Sequence, residues 1–137
     1  RSLRCVGQWK NQTFGSSGAF SARVEAGGGG GVITFEIGGN VFGRAGGVFQ
    51  SPFRQVGNAL VIDSTSDFLG RLQASIGLDG KSTTATMTAP PALGPNGKAT
   101  VKDYSYQPNG VLHFGLDIEL GNGQTATSIV DAACTKQ

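Results

Sequence analysis

Residues that could perform hydrolytic chemistry are few in this chain. His113 is the single histidine, and it lies on the polar side of a run in which apolar and polar residues alternate. An exposed surface histidine is the ordinary interpretation of that position. Serines are plentiful, but Gly15–Gly18 reads Gly-Ser-Ser-Gly rather than the Gly-x-Ser-x-Gly of a nucleophile elbow, and it lacks the strand-to-helix setting of that motif. We predict a turn at this segment and no catalytic residues.

Metal ligands are equally sparse. A zinc site needs several histidine or cysteine ligands, whereas this chain has one histidine and two widely separated cysteines. The segment Asp63–Asp67 has a carboxylate at each end and hydroxyl side chains between them, but it lacks the glycine and the terminal glutamate of an EF-hand loop. A polar connection is the alternative interpretation. The sequence predicts no metal and no cofactor.

Carboxylates could in principle supply the acidic pair of a glycosidase or a barrel isomerase. Glu25, Glu36, Asp117 and Glu119 all lie on the polar side of alternating runs. A glycosidase needs two carboxylates that converge in a cleft, and in a chain that buries its apolar side these four face solvent. Enzymatic activity is therefore the third of three hypotheses for this chain.

The composition is that of a globular protein. Of the 137 residues, 38% are hydrophobic and 15% are charged, which is too apolar for a disordered chain. No run approaches the roughly 18 apolar residues of a membrane helix, so we expect a soluble protein without membrane insertion. Eleven basic and nine acidic residues are scattered along the chain, and a nucleic-acid partner is therefore not expected.

The two cysteines, Cys5 and Cys134, lie almost at the two ends of the chain. Because the ends of a compact domain are often close together, a disulfide between them is favoured over two unrelated buried thiols. Such a bond implies an oxidising compartment, and we expect a secreted or periplasmic protein. The first residue is Arg1 rather than methionine, as expected after removal of a signal peptide or trimming of the chain.

Alternating residues predict strands over most of the chain. Glycine occupies 23 positions, which argues against helix and favours tight turns. Ala19–Ala26 and Ile33–Ile37 alternate as half-buried strands do, and Gly27–Gly31 between them is expected to be a flexible hairpin loop. Further on, Leu72–Leu78 is expected to form a hairpin with Ala85–Ala89.

Turn residues mark the ends of the later strands. Asp79-Gly80 is expected to supply the two positive-φ positions of a type I′ turn. The segment Pro90–Lys98 is predicted to be a loop because it contains three prolines and a Pro-Asn-Gly turn. Strands are then expected at Val101–Tyr106, at Val111–Leu120 and over Gln124–Cys134.

The middle of the chain is less regular. Asn40–Phe42, Val48–Phe49 and Leu60–Ile62 resemble short strands, and they are broken by glycines at 43, 46 and 47 and by Pro52. Counting all runs gives about eight to ten strands joined mostly by short turns.

The predicted fold is all-β. Strands joined by short turns pair with their sequence neighbours, and a meander loses its exposed edges when it closes. We predict that residues 1–137 form a single antiparallel meander that closes into a barrel of about eight strands, with a β-sandwich as the alternative.

The interior of such a barrel is the most promising place for a binding site. A barrel of about eight strands either fills its interior with side chains or holds one small ligand. Inward-facing alanines such as Ala22 and Ala74 favour residual space or close packing. We predict that a small apolar ligand binds in or at the mouth of the barrel, against Phe20, Phe35, Phe114 and Leu116.

A short motif near the N-terminus resembles a known group of barrels. Gly7-Gln8-Trp9 matches the Gly-x-Trp that opens the first strand of calycins, the group of lipocalins, fatty-acid-binding proteins and avidins, and Cys5–Asn11 resembles the start of avidin-type chains. The resemblance implies an eight-stranded meander barrel in which Trp9 closes one end and the ligand binds at the other, so Trp9 joins the predicted ligand-binding residues.

The chain also departs from these families. Trp9 is its only tryptophan, whereas the biotin pocket of avidins uses several, so biotin binding is not implied. Lipocalins carry a late basic residue that stacks on the tryptophan, and Lys136 is the only late candidate.

Two non-enzymatic functions lead the hypotheses. The first is a secreted or periplasmic module that binds a small apolar ligand. The second is a protein-interaction domain, adhesin-like or inhibitor-like, whose loops Gly27–Gly31, Gly43–Gln55 and Pro90–Lys98 contact a partner. Asn11-Gln12-Thr13 is also an N-glycosylation sequon, which has meaning only in a eukaryotic secreted protein.

Overall fold

Ten strands make up almost the whole chain in the computed structural model, which describes residues 1–137. A 3₁₀ turn, Pro91–Leu93, is the single helical element, and no helix is long and apolar enough to span a membrane. The strands are β1 (Ser2–Asn11), β2 (Ser17–Gly27), β3 (Gly30–Val41), β4 (Arg44–Val56), β5 (Ala59–Ser66), β6 (Gly70–Gly77), β7 (Thr83–Thr88), β8 (Lys98–Tyr106), β9 (Val111–Glu119) and β10 (Thr125–Lys136).

Each strand pairs antiparallel with its neighbour in sequence, and β1 pairs with β10, so the sheet closes on itself. The predicted antiparallel meander barrel is therefore confirmed. It has ten strands rather than about eight, and rather than the eight that the calycin resemblance implies. Because the diameter of a barrel grows with the number of strands, the interior is wider than the sequence led us to expect.

The middle of the chain differs most from its prediction. We expected short strands broken by glycines and by Pro52, and a loop over Gly43–Gln55. Instead, β4 is one strand of 13 residues that includes Pro52 and almost all of the expected loop. Pro52 is tolerated because β4 pairs with β5 only through Arg54–Val56. At the position of the proline there is no ladder to β5 that its missing N–H could interrupt.

Two hairpin turns also differ from their predictions. The expected flexible loop Gly27–Gly31 is a tight turn, because β2 ends at Gly27 and β3 begins at Gly30. Gly28 and Gly29 have φ of 63° and 84°, the two positive values that a type I′ hairpin needs.

The turn at Asp79-Gly80 is wider than the type I′ turn we expected, since β6 ends at Gly77 and β7 begins at Thr83. Only Gly80 has a positive φ. The carboxylate of Asp79 instead accepts hydrogen bonds from the backbone N–H groups of Lys81 and Ser82, at 2.8 and 2.7 Å. A side chain that caps the loop in this way favours a wider turn over a two-residue one.

The strand that closes the barrel is fixed by a covalent bond. Cys5 on β1 lies directly opposite Cys134 on β10, and the two form a disulfide. The predicted bridge is confirmed, and both cysteines are buried. The bond is compatible with an extracytoplasmic location.

A meander places alternate connections at alternate ends, and the two ends of this barrel differ. The connections 12–16, 42–43, 67–69, 89–97 and 120–124 lie at one end, which we call the closed end. There Leu93 is buried among Ala99, Ile118 and Ala126, and its carbonyl accepts a hydrogen bond of 2.8 Å from the N–H of Gly121. The predicted loop Pro90–Lys98 is thus folded onto this end. The chain termini lie at the opposite end, which we call the mouth.

Candidate functional site

The buried residues of the barrel form two main clusters on opposite walls. One cluster contains Trp9, Phe20 and Val130 and belongs to β1, β2, β9 and β10. The other contains Ile33, Phe49 and further residues of β3 to β7. A domain usually has one contiguous core, so this division indicates an interior whose walls do not pack together throughout.

Four inward-facing phenylalanine rings cross the interior between these walls. Phe20 and Phe114 meet edge to face with centroids 6.0 Å apart, Phe20 and Phe35 are 6.3 Å apart, and Phe35 stacks on Phe49 at 6.2 Å. Such spacings are those of favourable aromatic pairs. Phe35 packs against both wall clusters, so it is the ring that connects them.

Several inward-facing side chains of the barrel remain partly accessible to solvent. Phe35, Val101, Phe114 and Leu116 are half-buried although their strands point them inward. The total accessible surface is 7505 Å², whereas a compact 14.0 kDa protein exposes roughly 6,700 Å². These inward-facing residues therefore keep part of their surface accessible.

The indole of Trp9 lies towards the closed end of the lumen. Its Nε1–H donates a hydrogen bond of 2.8 Å to the carbonyl oxygen of Gly38. Gly18 and Gly39 make this position possible, because a Cβ at either one would lie 2.7 or 3.3 Å from the indole. Lys136 pairs with Leu3 at the opposite end of β1, so it does not stack on the indole.

The predicted ligand-binding residues occupy two places. Four of them come together: Trp9 and Phe20 belong to one buried cluster, and Phe35 and Phe114 pack against that cluster. Leu116 also faces inward, but it packs against the small cluster around Leu93 at the closed end.

Sequence reasoning missed four aromatic residues of the interior. Phe49 was assigned to a short strand fragment after two glycines, and Phe53 fell in the predicted loop Gly43–Gln55, although both are buried on β4. Tyr104 and Tyr106 follow a bulge on β8, where the register with β9 shifts between Lys102 and Ser105 and Asp103 adopts φ of 52°. Such a bulge moves every later side chain to the other face. No local signal in the sequence marks it.

Both tyrosines pack against the cluster that contains Trp9, nearer to the mouth. Burial raises the pKa of Tyr104, and the neighbouring Tyr106 and the carboxylate of Asp79 raise it further. The hydroxyl of Tyr104 is therefore protonated at neutral pH and can donate a hydrogen bond.

His113 lies on the outer face of the barrel. Its Nδ1 is 2.6 Å from Oδ1 of Asp131, the residue opposite it on β10, and Ser105 is opposite it on β8. Asp131 is the one side-chain hydrogen-bond partner of His113. Ser105, His113 and Asp131 do not line the groove on the outer face of β1 to β4 that is described below.

Basic residues pair with three carboxylates on the outer face of the strands, those of Asp63, Asp117 and Asp131. Asp117 lies 2.7 Å from Lys102, whose pKa the hydrogen bond raises. Asp63 accepts two hydrogen bonds from Arg71, which lower the pKa of that carboxyl. No group of three or more His, Cys, Asp or Glu side chains lies close enough together to hold a metal ion.

A shallow groove of about 480 Å³ lies on the outer face of β1 to β4. Val6, Ser21, Glu36 and Val48 stand opposite one another across these four strands. Val6 and Val48 are 53% and 61% exposed. Glycines on β3 and β4 keep the groove open between them.

Comparisons of this chain with protein-family models, with curated proteins and with solved structures give no match.

Proposed function

We propose that this protein is a secreted or periplasmic, non-enzymatic binding module that holds a small apolar ligand in its barrel. One observation carries the proposal: Phe35, Val101, Phe114 and Leu116 face the interior and are still reached by solvent. An interior lined by aromatic and aliphatic side chains that keep accessible surface is a typical site for an apolar small molecule.

The difference between the two ends supports entry through the mouth. The closed end is covered by the loop around Leu93, whereas Leu3, Val24, Leu60 and Ile76 face inward near the mouth and are half-buried. The resemblance of Gly7-Gln8-Trp9 to calycins also supports entry through the mouth, because it implies a ligand site at the end opposite the tryptophan. The disulfide supports the proposed location outside the cytoplasm.

Binding of the neutral apolar fluorophore N-phenyl-1-naphthylamine tests the proposal. We expect its emission to rise on addition of the wild-type protein and to lose that rise in Val101→Phe, because the added ring enters the lumen. Thr100→Phe is the matched control, since its side chain lies on the outer face of the same strand and should leave binding unchanged. Wild-type protein that binds no fluorophore, or Val101→Phe protein that binds it as the wild type does, would show that the lumen is not the site.

The outer groove favours a second function, that of a protein-interaction domain. Val6 and Val48 expose apolar surface on either side of it, and exposed apolar surface beside a groove is typical of interaction sites. Wild-type protein that takes up no apolar fluorophore would favour this function.

A further inference from the structure

Backbone pairing of β7 with β8 is interrupted near the mouth, and we call this gap in the pairing the opening. Backbone pairing of these strands covers only Thr86–Thr88 with Lys98–Thr100. Beyond it the strands separate until the N–H of Tyr106 donates a hydrogen bond of 2.8 Å to the carbonyl oxygen of Gly80. The opening is therefore bounded at both ends.

Thr83 on β7 and Tyr104 on β8 belong to the unpaired stretches on the two sides of this opening. Thr83 is the first residue of β7, and counting along both strands from the Thr86–Thr100 pair places it opposite Asp103, the residue of the bulge. The bulge turns the next residue, Tyr104, towards the interior. A non-glycine residue with positive φ is strained, and such strain often occurs at binding sites.

The hydroxyl of Thr83 has no hydrogen-bond partner within the protein. Its Oγ1 is the one side-chain polar atom that is completely buried and unpaired. Buried polar groups are otherwise satisfied: the hydroxyls of Ser51 and Ser64, for example, are 2.7 Å apart where β4 and β5 separate. An unpaired hydroxyl that faces the lumen is suited to a polar atom of a bound molecule.

We propose that Thr83 and Tyr104 form a hydrogen-bonding site for an uncharged hydroxyl group carried by the apolar ligand. This inference rests on the proposed function, and it narrows the ligand from an apolar molecule to an amphipathic alcohol or phenol. The negative charge of Asp79 contributes to the raised pKa of Tyr104. The same charge would repel an anionic group bound beside Tyr104. A neutral group that both donates and accepts a hydrogen bond matches the two hydroxyls.

The test compares 2-naphthol with 2-methylnaphthalene, which has the same rings and nearly the same shape but no hydroxyl. We expect wild-type protein to bind 2-naphthol about fivefold more tightly, the value of roughly one neutral hydrogen bond. Thr83→Val, which keeps the shape of the side chain, should abolish this preference and leave the affinity for 2-methylnaphthalene unchanged. Tyr104→Phe should reduce the preference as well. Thr84→Val, on the outer face of β7, should keep it.

Each result separates the inference from the function on which it rests. Equal binding of both compounds by wild-type protein, or a preference that survives in Thr83→Val, would overturn the hydroxyl site and leave the apolar lumen standing. Tighter binding of 2-naphthoate than of 2-naphthol would overturn the uncharged assignment. If neither neutral compound binds, the proposed function fails and the hydroxyl site falls with it.

Discussion

Breaking the Cys5–Cys134 disulfide should remove a large part of the stability of the barrel. The bond joins the first and last strands across a sequence separation of 129 residues. In the chain-entropy treatment, a cross-link over a loop of this length contributes about 5 kcal/mol at 25 °C by restricting the unfolded chain. Domains are typically stable by about 5–15 kcal/mol, so we expect the reduced protein to be marginally folded.

Guanidinium unfolding followed by fluorescence measures this effect directly, because Trp9 is the only tryptophan and is buried. With a denaturant slope of about 4 kcal/mol/M for a domain of this size, a loss of about 5 kcal/mol lowers the unfolding midpoint by roughly 1.2 M. The Cys5→Ala/Cys134→Ala variant should show the same low midpoint with or without reductant, which controls for effects of the reductant itself.

An unchanged midpoint after complete reduction would refute the reasoning. The pairing of β1 with β10 would then be enough to hold the ends together, and the unfolded chain would already be restricted without the bond. A low midpoint in the alanine variant but not in the reduced protein would instead assign the loss to packing of the sulfur atoms.

Three further predictions concern packing and charge. Gly18→Ala should lower the free energy of unfolding by about 1–3 kcal/mol, because the new Cβ overlaps the carbonyl of Gly38 and crowds Trp9. Gly27→Ala is the control, since its Cβ meets no atom within 4 Å, and it should change the free energy of unfolding by less than about 0.5 kcal/mol in the same denaturation assay. Trp9→Phe should cost about 1–3 kcal/mol, since the carbonyl of Gly38 loses its donor, and an unchanged thermal midpoint would contradict this. Hydrogen bonds from Ser82 lower the pKa of Asp79 from 3.8 to about 2. The stability that the ionised Asp79 contributes is therefore present above pH 4 and is lost as the pH falls towards 2. Asp79→Asn should flatten the dependence of the unfolding free energy on pH in this range, and equal slopes for the variant and the wild type would contradict the prediction.

Much of the fold could be predicted because alternation fixes which side of a strand is buried. On β9, Leu112 and Ile118 are buried while Asp117 and Glu119 are exposed, as the pattern of the sequence requires. The disulfide could be predicted because only two cysteines are present and a closed meander brings its first and last strands together. These inferences use short-range patterns and chain topology, which the sequence contains directly.

The strand count and several turns could not be predicted, because longer-range contacts decide them. Pro52 lies inside a strand because β4 is not paired with β5 at that position. The sequence does not show where a strand loses its pairing with a neighbouring strand. The loop at Asp79 is wide because a carboxylate caps it. Local turn preferences favour a tighter geometry, and side-chain hydrogen bonds override them.

The hydroxyl site was missed for a related reason. Strict alternation from Val101 would place Asp103 and Ser105 inside the barrel and both tyrosines of β8 outside. The bulge at Asp103 reverses this order, and it does so beside the stretch where β8 loses its pairing with β7. Backbone strain, missing pairing and the unpaired hydroxyl of Thr83 thus occur together at this place in the barrel. Sequences depart from local rules mainly where function requires it, and this coincidence is the reason to search for the ligand at the opening between β7 and β8.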